Sequence, residues 1–106
     1  MSEFKSNLAL LPSVESLARL EVVDAENNIR TLLIENKPGK AGSLAVYHYL
    51  FKEFGGITKQ AAQRGLELFA EYTQEAREKP GSHPNIDFLL SVLKSDREYR
   101  VHLQEK

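Results

Sequence analysis

From Ala18 to Val23 apolar and polar residues alternate, placing Ala18, Leu20 and Val22 on one side and Arg19, Glu21 and Val23 on the other. That period of two predicts a β-strand. Asp24-Ala25-Glu26-Asn27-Asn28 then supplies side chains that bond locally and tolerate left-handed backbone, so the chain reverses there. Residues 29–35 read as a second strand that completes a hairpin. In it Ile29, Thr31 and Leu33 face one way while Leu32 and Ile34 face the other, so both faces carry apolar residues. Either residues 4–17 or a second copy of the chain must cover the second face, and the pattern does not choose between them.

The period changes after Asn36-Lys37-Pro38-Gly39-Lys40-Ala41-Gly42, where a proline and two glycines break regular structure and Ser43 reads as a helix N-cap. Leu44, Val46, Tyr47, Leu50, Phe51 and Phe54 fill one arc of the helix that follows, with His48 and Lys52 on the solvent side, and Gly55-Gly56 ends it. Thr58 caps a second and longest helix, which runs to Pro80-Gly81 with a stripe of Ala62, Leu66, Phe69, Tyr72, Thr73 and Ala76. Gly65 within it, beside Ala61 and Ala62, predicts a neighbour that approaches the backbone closely. Ile86, Leu89, Leu90 and Leu93 mark a third helix, and residues 98–104 alternate again as a last strand. Phe4, Leu8 and Leu11 suggest a short helical turn before Pro12, and Ser13 opens another that carries Val14 and Leu17. The expected fold is α+β, one domain over residues 1–106: an N-terminal antiparallel β-hairpin, then three α-helices packed on the sheet, then a C-terminal strand.

Composition narrows the function classes. The absence of cysteine excludes disulfides, thiolate catalysis and cysteine-ligated metal, and fits a reducing compartment. A net charge of −1 with dispersed basic residues gives no field for a phosphate backbone, so nucleic acid is not an expected partner. No stretch approaches the roughly 20 apolar residues of a membrane span, and the first five residues do not resemble a secretion signal, so the expected location is cytoplasmic and no membrane partner is expected.

Three stretches look like a known family. Residues 35–48 (ENKPGKAGSLAVYH), 65–71 (GLELFAE) and 80–87 (PGSHPNID) resemble a family of short bacterial proteins of unknown function. The resemblance covers nearly the whole chain. It implies bacterial origin and a self-contained domain, and it carries over no activity, cofactor or active site.

The loop before the first long helix combines two lysines with a helix N-terminus, where unpaired N–H groups and the helix dipole favour an anion. Lys37, Lys40, Gly42 and Ser43, with His48 on the same helix, form the candidate site for a phosphate or carboxylate. The loop is neither a Walker nor a dinucleotide-binding motif, and a plain strand-to-helix connection explains the same residues. His48, His83 and His102 lie far apart with no helical ligand spacing, so no metal or other cofactor is expected. Glu67, Glu71 and Glu75, with Glu78, form an acidic ridge that reads as a solvated face. No nucleophile, base and orienting group converge, so no catalytic residue is assigned and the reading leans away from an enzyme. It favours a noncatalytic interaction or regulatory domain with a protein partner or a second copy of itself. The alternative is a small ligand-binding protein or enzyme that seats an anionic metabolite at residues 37–43.

Overall fold

The computed structural model describes residues 3–95 and 97–106. Its elements are α1 (Phe4–Leu8), β1 (Leu17–Asp24), β2 (Arg30–Glu35), α2 (Ala41–Phe54), α3 (Lys59–Phe69), α4 (Glu71–Glu78), α5 (Pro84–Leu93) and β3 (Tyr99–Glu105). The three strands form an antiparallel sheet in the order β2-β1-β3. The α+β class is as expected, but the expected element order needs correcting. A helix precedes the hairpin, and four helices rather than three lie between β2 and β3.

The extra helix comes from a break at Ala70, in the middle of the single helix expected to run to Pro80. Ala70 has φ 51° and ψ −118°, a region that glycine occupies freely and a Cβ-bearing residue only under strain. Neither glycine nor proline stands between Leu66 and Lys79, so local propensity does not cause the break. Tertiary contacts hold it. The Thr73 hydroxyl donates to the Leu66 carbonyl at 2.6 Å, and Asn7 Nδ2 of α1 donates to the Leu68 carbonyl at 2.9 Å. Two acceptors orphaned at the end of α3 are thereby satisfied.

Cross-strand partners define the faces of the sheet. Leu20 lies opposite Ile34 and Leu103, and Val22 opposite Leu32 and Val101. This face meets the helices; Leu20, Val22, Ile34 and Val101 are buried there with Leu44, Tyr47 and Leu50 of α2. The opposite face pairs Arg19 with Glu35 and Gln104, and Glu21 with Leu33 and His102. Arg19 and Arg30 both approach the Glu21 carboxylate there, so this second face is largely polar and is not covered by residues 4–17. The N-terminal segment packs on the helical side, with Phe4 stacked on Phe69 and edge-on to Tyr72.

Three further details differ from expectation. Helix α2 begins at Ala41 with Lys40 in the N-cap position, so Ser43 is the third helical residue rather than the cap. His48 is buried, at 7% exposure, and does not face solvent, because the bundle wraps more of α2 than its amphipathic arc suggests. The acidic ridge is split, with Glu67 on α3 and Glu71 and Glu75 on α4. Other expectations hold. Gly55 (φ 77°) ends α2, and Thr58 Oγ1 accepts from the Ala61 amide at 3.1 Å. The last strand, β3, pairs with β1 of the same chain, which the alternation of residues 98–104 alone does not specify. A Cβ on Gly65 would lie 2.7 Å from Leu89 Cδ1 and 2.9 Å from Leu50 Cδ1, the close approach anticipated for that glycine.

Candidate functional site

A cavity of about 640 Å³ lies between α1, β2 and the starts of α2 and α5. Its apolar wall includes Phe4, Leu8, Leu32, Phe69, Tyr72 and Ile86. Its polar wall comes from residues 39–43 and 82–86 and carries Lys40, Ser43, Ser82, His83 and Asn85. No carboxylate lines it among the described residues. The volume is within the range of small-molecule sites, as is the mixture of apolar surface with a few polar groups.

Both helix starts lack a side-chain cap. Lys40 and His83 hold the N-cap positions of α2 and α5, and neither side chain accepts from the first turn. The amides of Ala41, Gly42 and Ser43 precede the first intrahelical bond of α2, which runs from the Leu44 amide to the Lys40 carbonyl. In α5 the Ile86 and Asp87 amides already bond the His83 carbonyl and Pro84 has no N–H, leaving the Asn85 amide. The dipoles of a 14-residue and a 10-residue helix thus present their positive ends at one cavity.

A buried tyrosine ties the two helix starts together. Tyr47 is fully buried on α2, and its hydroxyl donates to the Asn85 carbonyl at 2.5 Å. Burial raises its pKa well above 10, so the phenol remains a donor throughout the range where the protein would be used. At the other side of the α5 start, the Asp87 carboxylate accepts the Gly81 amide at 2.9 Å and fixes the turn that leads into the helix. His83 packs its ring on Tyr72 at 5.4 Å, and its Nε2 lies 3.6 Å from the Glu75 carboxylate.

Of the residues marked from sequence, Lys40, Gly42 and Ser43 line this cavity, and Lys37 and His48 do not. Lys37 is exposed and ion-paired with Glu35 at 3.2 Å. Among the described residues His48 Nδ1 is buried without a hydrogen-bond partner. Burial first and the nearby Lys52 second lower the pKa of His48, favouring neutral imidazole. Gly42 also has a packing role: a Cβ there would lie 3.0 Å from Phe4 Cζ, so the bare backbone admits the ring of α1. Sequence reasoning missed the contribution of residues 82–85. Their Ser-His-Pro-Asn composition signalled a helix start, which is itself an anion-favouring feature, but nothing in the sequence placed it beside the start of α2. Among the described residues no group of three or more His, Asp or Glu side chains could hold a metal ion, and no helix is long and apolar enough to cross a membrane.

The class defined by these features is a small α+β domain with three antiparallel strands, helices on one face and one mixed apolar–polar cavity at two helix starts. The chain belongs to the family described as "Uncharacterized protein conserved in bacteria (DUF2322)", whose model matches residues 4–103. No curated protein and no solved structure matches it.

Proposed function

We propose that this domain is a noncatalytic regulatory module that binds a small ligand with an anionic head and an apolar body. The observation that carries this reading is the meeting of two uncapped helix N-termini, with Lys40 and Ser43, at a cavity that no carboxylate lines among the described residues. A phosphate or carboxylate would take the Ala41–Ser43 amides and the Lys40 ammonium, while an apolar body would lie against Phe4, Leu32 and Phe69. Binding without turnover is supported by the position of His48, which lies away from the cavity lining.

Phenyl phosphate is a suitable probe, since it joins a dianion to a ring, with inorganic phosphate and phenol as the separated halves. Phenyl phosphate at millimolar concentration is expected to raise the thermal midpoint more than either half, because only native protein binds it. Lys40→Ala should abolish most of that rise and Lys37→Ala should leave it intact. No rise with phenyl phosphate, or an equal loss in both variants, would overturn the assignment.

A further inference from the structure

The joint between α3 and α4 carries a second inference, independent of the cavity. Residues 59–79 have the composition and stripe of one continuous helix, yet the chain turns at Ala70 with a positive φ that alanine adopts only under strain. Besides the Thr73–Leu66 bond between the two helices, the turn is held from outside them. Asn7 bonds the Leu68 carbonyl on one side of the joint, and the Phe4 amide donates to Glu71 Oε1 at 2.8 Å on the other. The segment beyond the joint makes its main contacts with the segment before it: α5 packs on α3, and β3 pairs along the length of β1. A straight α3–α4 helix would lift that segment away from its own chain and present it to another, where every one of those contacts can be remade.

We propose that the chain forms a domain-swapped dimer with a second copy of itself, in which Ala70 becomes helical, α3 and α4 fuse, and the segment carrying α4, α5 and β3 exchanges between the two copies. The local preference of the sequence and the tertiary contacts then agree, whereas in the closed monomer they oppose each other at Ala70. A short hinge under strain is the feature that favours such exchange.

The test uses the full chain, which has no cysteine of its own. Protein refolded at millimolar concentration is separated by size exclusion with light scattering and compared with protein refolded at micromolar concentration; a dimer enriched in the concentrated sample is expected. In a Glu21→Cys, His102→Cys variant the two sites are direct partners between β1 and β3, on the polar face of the sheet. Oxidation should link chains covalently in the dimer fraction and close a bond within one chain in the monomer fraction. Ala70→Gly relieves the closed form by roughly tenfold per hinge, and two hinges should weaken dimerisation about a hundredfold. Glycine's poor helix propensity acts in the same direction. Asn7→Ala, which removes one of the bonds holding the turn, should increase the dimer. Failure to form a dimer at millimolar concentration, a dimer fraction that runs as single chains after oxidation under denaturing conditions, or a dimer equally stable with Ala70→Gly would each overturn the proposal.

Discussion

Helix α2 and helix α3 end for different reasons. At the end of α2, Gly55 takes a φ of 77° and its amide bonds the Phe51 carbonyl at 2.8 Å, a stop that any chain with this sequence would favour. At the end of α3 an alanine takes a φ of 51°, and its stability depends on Thr73 just beyond it and on Asn7 and Phe4 arriving from the N-terminal helix. The first end is a property of the backbone; the second is imposed by packing. The contrast teaches that a helix boundary with no glycine, proline or cap residue marks a place where tertiary structure overrides local preference, and such a place can reorganise when the contacts change.

The largest expected effect that would sharpen this comparison lies at the glycine end. A Cβ on Gly56 would fall 2.6 Å from the backbone carbonyl of Tyr99, which is held by the Ile57 amide and cannot retreat. Gly56→Ala should destabilise by about 3 kcal/mol, the upper end for overpacking, measured by urea unfolding. Next, Asn7→Ala leaves the buried Leu68 carbonyl without its partner and should cost about 1–2 kcal/mol. It should also move the Ala70 chemical shifts toward helical values, which no change at Gly56 should do.

The two hinge residues themselves should respond with opposite signs. Gly55→Ala places a Cβ in left-handed backbone and should destabilise by about 1 kcal/mol. Ala70→Gly relieves strain and should stabilise the monomer by up to about 1 kcal/mol after the larger entropy of the unfolded chain is subtracted. Destabilisation by Ala70→Gly would break the comparison, because Ala70 would then be unstrained.

The smallest effect concerns a site on α2 that also reflects packing, His48. Burial first and Lys52 second depress its folded-state pKa below the ordinary 6.5. The unfolded chain therefore binds the proton more readily, and the contribution of His48 is fully present above pH 6.5 and is lost as pH falls through the lowered folded value. Unfolding midpoints measured from pH 7.5 down to pH 5 should decline, and His48→Gln should flatten that decline. An unchanged slope in the variant would place the titration elsewhere.

Much of the fold was legible because short-range periodicity reports on burial directly. Leu20 and Val22 alternate into the core, Thr58 caps as its hydroxyl dictates, and Gly65 sits where Leu50 and Leu89 converge. The candidate site was legible only in part. Lys40, Gly42 and Ser43 belong to the cavity, but residues 82–85 are distant in sequence and only the packing of α5 beside α2 brings them to it. His48 misled because a helical wheel knows one buried face, whereas α2 is enclosed by the sheet and by α3.

The sequence by itself determined the strands, the glycine and threonine helix boundaries and the main apolar stripes, such as Leu20 and Val22 of β1, since these follow from backbone sterics, capping and the periods of two and 3.6 residues. Tertiary structure alone decided the break at Ala70, the burial of His48 and the meeting of two helix starts around one cavity. Those outcomes depend on contacts between residues far apart in the chain, whose combined free energy exceeds the small local preferences that a sequence pattern records.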